Sequence, residues 1–138
     1  NKTTNNMNLH FHTKFNADKP THFREKILDG RKKHSMVDDE KDRWQEGNSI
    51  QMVVNPYSAE RDHFNADRAD LQTCTGTQRF EIKWKGHDYL VRVDGHKLTP
   101  AEVEILALND GFDELVDFLT WFNADKKGKI IHWTKLRY

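Results

Sequence analysis

Met7-Asn8-Leu9-His10-Phe11-His12 alternates apolar and polar residues and predicts a first strand. Thr21 can cap a helix that carries Phe23, Ile27 and Leu28 on one face and ends at Gly30 in the left-handed conformation. A charged segment over residues 38–46 follows, with Trp44 as its only large apolar residue, and Gly47-Asn48 turns the chain into a strand over 49–54. Residues 55–71 are polar and poor in aliphatic side chains, the pattern of a long loop. Phe80, Ile82 and Trp84 alternate within a strand over 73–84, and Lys85-Gly86-His87-Asp88 makes a hairpin into a strand over 89–93.

The second half is helical before it closes. Thr99-Pro100-Ala101-Glu102 combines a Thr cap, Pro at the first helical position and Glu three residues after the cap. That helix carries Val103, Ile105, Leu106 and Leu108 and ends near Asn109-Asp110-Gly111. Asp113 caps a second helix with Val116, Phe118, Leu119, Trp121 and Phe122, Gly128 breaks it, and a strand over 129–134 ends the pattern. The order β-α-β-β-β-α-α-β, paired antiparallel, predicts an α+β fold: a small antiparallel β-barrel or curled sheet with flanking helices. Phe-Asn-Ala-Asp begins at Phe15, Phe64 and Phe122 in unlike contexts, which reads as local turn chemistry rather than a repeat.

The 138 residues suit a single domain over 7–138. Residues 1–6 are polar and unpatterned, as in a disordered tail or a remnant of expression, with Met7 the expected natural start. Lys plus Arg and Asp plus Glu are equal at 22 each, so any contact with nucleic acid must come from a local patch. Cys74 is the single cysteine and cannot form an internal disulfide, which points to the cytoplasm. No apolar run reaches the length of a membrane span, and no membrane partner is expected. His10 and His12 share a strand face at a chelating spacing. They lack a neighbouring Cys or carboxylate cluster, and His132 would have to arrive from another strand, so no metal is expected. No Gly-rich phosphate loop is present and no cofactor is expected. The oligomeric state is left open.

Candidate chemistry concentrates in Gly30-Arg31-Lys32-Lys33-His34-Ser35, where a helix ends and the chain re-enters the sheet. Crowded cations and partial burial both lower the pKa of a lysine, and a lysine so tuned can act as a base toward a hydroxyl or water. The same cluster can hold a phosphate, with His34 orienting it or Ser35, and a solvated basic helix end is the plain alternative. Trp44, beside Arg43, can stack on a base or pack over the barrel mouth.

These motifs resemble ASCH domains of the PUA-like superfamily. Such domains typically show a helix ending in Gly-x-Lys-x-x-Thr-x-Arg, then acidic residues, then a Gly turn into a strand. Gly30, Lys32 and Ser35 fill the Gly, Lys and Thr positions, Asp38-Asp39 the acidic pair and Gly47 the turn. Val37 stands at the Arg position and removes a bidentate binder of phosphate or carboxylate. Asn109-Asp110-Gly111-Phe112 is similar to the family's acidic-Gly-Phe turn, and Gly128-Lys129-Ile130-Ile131-His132-Trp133 to its last barrel strand. Residues 55–71 have no counterpart. The resemblance implies a PUA-like barrel that binds RNA or a nucleotide in a cleft around the motif, with Arg31, Lys32, Lys33, His34, Arg43 and Trp44 as ligand contacts. One branch, the small bacterial acetylcytidine amidohydrolases, is similar in a Thr–Lys–Glu arrangement. It implies an alternative, deacylation of an N-acylated, modified nucleoside with Ser35 as nucleophile, Lys32 as base and Asp110 as acidic partner. A protein-interaction domain that keeps only the fold is a third reading.

Overall fold

In the computed structural model, which describes residues 6–15 and 19–138, the alternating first segment forms β1 (Asn6–Phe11) and buries Met7, Leu9 and Phe11. Of the expected tail, residues 1–5 lie outside the described residues and Asn6 opens β1. α1 (Phe23–Leu28) begins after His22, not Thr21, and Gly30 leaves it at φ 88° as the left-handed exit. The chain continues through β2 (His34–Val37), β3 (Ser49–Val54), β4 (Asp62–His63), a 3-10 turn (Ala69–Leu71), β5 (Gly76–Lys85), β6 (Asp88–Val93) and β7 (His96–Lys97). α2 (Pro100–Asn109), α3 (Leu115–Trp121) and β8 (Lys126–His132) complete it.

The fold is α+β, but the strands divide between two sheets and do not close into a barrel. One sheet has the order β1-β3-β4, the other β2-β8-β5-β6-β7. β1 pairs with β3 in parallel, against the expected antiparallel pattern, because α1 and β2 carry the chain across and return it in the same direction. The sheets meet at one corner: the Ile50 amide donates to the Gln72 carbonyl and the Cys74 amide to the Asn48 carbonyl before the chain turns into β5. Among the described residues no ladder joins the edge strands β1 and β2. Lys32, just ahead of β2, reaches across, with its ammonium 5.6 Å from the Phe11 ring centroid.

Local signals placed most elements. Thr99 and Glu102 form the reciprocal capping box at the start of α2, as their spacing predicts. α3 starts one residue later than expected, with Glu114 rather than Asp113 at its N-cap. Gly128 does not end that helix; it lies inside β8, where a Cβ would collide with the Val37 carbonyl, so glycine permits the close approach of β2. Residues 55–71 are not free loop. Asn65 pins them to β3, accepting from the Met52 amide at 3.0 Å and donating to the carbonyls of Ile50 and Leu71 at 2.9 and 2.8 Å. Asn65 belongs to the second Phe-Asn-Ala-Asp copy; the first lies mostly outside the described residues. No helix among the described residues is long and apolar enough to cross a membrane.

Candidate functional site

β2 carries His34 and Ser35 on opposite faces, since side chains alternate along a strand. Its antiparallel register with β8 pairs His34 with His132 and Ser35 with Ile131. The two imidazoles accordingly meet, with ring centroids 5.3 Å apart. Ser35 faces the other way, beside Ile131, and its hydroxyl makes no hydrogen bond among the described residues.

The end of α2 supplies the other half of the site. Asp110 is its C-cap, and Gly111 turns the chain at φ 97°. Lys32 reaches this turn from the motif: its Nζ donates to the Asp110 carbonyl at 2.5 Å and lies 3.3 Å from Asp110 Oδ1. The ammonium also sits 4.5 Å from the Phe23 ring centroid. Lys26 makes a second such strut, donating to the Gly111 carbonyl at 2.7 Å and pairing with Asp113 at 3.1 Å. The Lys33 amide bonds the Asn109 carbonyl at 2.7 Å. The motif loop and the 109–113 turn are thus locked together.

A relay of polar groups runs inward from this lock. Asp110 Oδ1 lies 3.1 Å from His34 Nδ1, and His34 Nε2 lies 2.5 Å from the Tyr138 hydroxyl, which also accepts from Asn109 Nδ2 at 3.1 Å. With the carboxylate accepting at Nδ1–H, Nε2 is the imidazole's acceptor and the phenol donates to it. Lys32, His34 and Asp110 are 2%, 0% and 3% exposed. Burial pushes the Lys32 and His34 pKa values down, against the opposing pull of Asp110 on both. It pushes His132 down to about 3, helped by His34 and Arg137, and raises Tyr138. His34 is therefore a neutral base at pH 7, aligned by a carboxylate.

A cleft of about 420 Å³ opens beside the lock, lined among others by Arg31, Lys33, Leu108, Asn109 and Phe112. Arg31 is exposed and pairs with Asp29 at 2.8 Å; Lys33 is exposed. Leu108 contributes an apolar wall, being 47% exposed.

The expected site residues therefore separate into three places. Lys32, His34 and Asp110 come together in the interior, and Arg31 and Lys33 stand on the rim of the adjoining cleft. Ser35 lies on the far face of β2. Arg43 and Trp44 belong to neither. Arg43 lines a different cleft with Asp38 and Glu40, and the Trp44 ring is buried, so the expectation that it stacks on a ligand base gives way to a packing role. The Trp44 carbonyl accepts from Lys129 at 2.8 Å, and its amide donates to Asp39 at 2.9 Å. Burial of Lys129 is outweighed by Asp42 and Asp39, which raise its pKa.

Sequence reasoning passed over Asn109, Gln78 and Tyr138. Only Asn109, next to Asp110, had a local signal; the other two arrive from distant parts of the chain. His132 drew notice as a metal candidate with His10 and His12, yet it is buried against His34 while those two are exposed. Among the described residues no group of three or more His, Cys, Asp or Glu side chains is arranged to hold a metal ion. No protein-family model, curated protein or solved structure matches the chain.

Proposed function

We propose that this chain is an RNA- or nucleotide-binding protein of the PUA-like, ASCH type, acting in the cytoplasm, with its ligand seated in the cleft between the motif loop and the 109–113 turn. The observation that carries this reading is the make-up of that cleft. Exposed Arg31 and Lys33 offer charge to a phosphate, the Asn109 amide offers hydrogen bonds, and Leu108 offers an apolar wall to a base or sugar. Lys32 acts from beneath, as the strut that holds the two walls, and not as a direct ligand contact.

The test is titration of mononucleotides and short single-stranded RNA into the native protein and into Arg31→Ala/Lys33→Ala. Two phosphate contacts on a single strand give a log–log salt slope of about −1.4. The double substitution should abolish that slope and weaken binding tenfold or more. Binding that the double variant leaves intact, or no binding at low salt, refutes the reading.

The amidohydrolase alternative is supported by one observation, the Lys32–Asp110 contact. It requires Ser35 to act from the opposite face of β2. Deacylation of an N-acylated cytidine that disappears in a folded Ser35→Ala variant would carry it; no turnover of any acylated nucleoside would remove it.

A further inference from the structure

Tyr138 occupies a place whose surroundings are more elaborate than one phenol requires. Its hydroxyl meets the His34 Nε2 acceptor and the Asn109 Nδ2 donor. Its backbone amide donates to Gln78 Oε1 at 2.9 Å, and its carbonyl accepts from Gln78 Nε2 at 2.8 Å. Gln78 is fixed in that orientation from behind. His132 Nε2 donates to its Oε1 at 3.0 Å, and Asp94 accepts from its Nε2 at 3.1 Å. Donation from Nε2 leaves His132 Nδ1 as a bare acceptor, fully buried and without a partner among the described residues.

The ring lies edge-on to His34, with centroids 5.4 Å apart at 80°, and tilted against His132 at 6.1 Å and 37°. The place taken by residue 138 is therefore edged by one acceptor at His34 and one donor at Asn109 around its hydroxyl, and by a donor–acceptor pair at Gln78 around its backbone, with the His132 ring beside it. A nucleobase has this complement: a planar ring with adjoining donors and acceptors, of the kind that a glutamine amide reads in pairs. With Tyr138 in place the His132 acceptor has no partner among the described residues. The segment over 134–138 lies outside the sheets and helices and is held by polar bonds and by the packing of the Tyr138 ring, without the ladder that fixes a strand. Asn109 lines both this place and the rim cleft.

We propose that the Tyr138 ring occupies an interior subsite, built by His34, Gln78, Asn109 and His132, that takes the base of a nucleotide once residues 134–138 move aside. This rests on the nucleotide-binding reading and adds where the base goes and what must move to admit it.

The experiment titrates the four common nucleoside monophosphates, and 4-methylphenol as a mimic of the missing side chain, into the native protein and Tyr138→Ala. The variant should bind at least one nucleotide tenfold or more tightly than the native chain, and 4-methylphenol should compete with it. A folded variant that takes 4-methylphenol but binds nucleotides no better than the native chain overturns the subsite and leaves the rim cleft standing. Failure of both proteins to bind any nucleotide overturns the subsite, and failure to bind short single-stranded RNA as well removes the parent reading. If Tyr138→Ala does not fold, hydrogen exchange at the Tyr138 amide of the native protein decides. Saturating nucleotide should reduce its protection at least tenfold, and unchanged or increased protection overturns the proposal.

Discussion

Lys32→Met takes a buried ammonium away from a carboxylate that has little else to answer it. Methionine keeps most of the stem that carries the ammonium to Phe11 and Phe23, so packing changes little and electrostatics change greatly. At the 3.3 Å separation from Asp110 Oδ1, unit charges attract by about 5 kcal/mol at an effective dielectric constant of about 20. Both residues are at most 3% exposed, so solvent cannot replace the lost partner. Breaking one side of such a pair costs about 3–5 kcal/mol, less whatever His34 recovers by taking a proton beside Asp110. Asp110→Asn in the same chain removes the stranded charge while leaving an oxygen for His34, and should restore about 2 kcal/mol or more. Urea unfolding followed by tryptophan fluorescence reads both effects. With an m-value of about 1.5 kcal/mol/M, a 3 kcal/mol loss lowers the midpoint by about 2 M. A fall under about 0.5 M at unchanged m, or a double variant no better than Lys32→Met alone, refutes the buried strut.

Burial holds His34 and His132 neutral in the folded chain, His132 down to about 3, whereas unfolded histidines titrate near 6.5. The unfolded chain therefore takes up protons first: stability is full above about pH 6.5 and falls by up to about 1.4 kcal/mol per unit per histidine as pH drops toward the folded values. A calorimetric Tm that stays flat from pH 7 to 4.5 would contradict this. Gly111→Ala forces a side chain onto φ 97° and sets its Cβ 2.9 Å from Lys32 Cδ and 3.0 Å from the Phe23 ring. It should cost about 1–3 kcal/mol in urea, more than Gly30→Ala at φ 88°, where the added Cβ meets open space. The reverse order would mean that Lys32 does not pass under Gly111. Asn65→Leu strands one buried amide and leaves two carbonyls short, and should lose at least about 3 kcal/mol by the same assay; a loss under 1 kcal/mol would show that the 55–71 segment is not pinned through Asn65.

What could be read in advance was whatever local chemistry specifies. Alternation marked β1 and the β5–β6 hairpin, and the Thr99–Glu102 pair marked the start of α2. β2 was not legible because His34, Ser35 and Met36 are all buried, so the strand covers both faces and shows no period of two. Gly128 was misread for a related reason. Its necessity lies in the Val37 carbonyl on a neighbouring strand, and a glycine needed for close approach looks the same in sequence as one that breaks a helix. The division into two sheets was equally hidden, since the parallel β1–β3 pairing depends on how α1 and β2 cross over between them.

The motif's charges divide according to burial, and that division constrains how any ligand is held. Lys32 and Lys26 spend their charge inside, on Asp110, Asp113 and the carbonyls of the turn, and Arg31 shares its charge with Asp29. Lys33 is the rim cation without an ion pair among the described residues. A ligand gripped chiefly through phosphate would be held weakly here, in keeping with a chain whose 22 basic and 22 acidic residues cancel. Discrimination must then come from uncharged donors and acceptors. Those are concentrated at His34, Gln78 and His132, behind Tyr138, and at Asn109, which also lines the rim. A binding mode with a shallow salt dependence and strong preference among bases follows from this distribution; steep salt dependence without base preference would place the ligand on some other face.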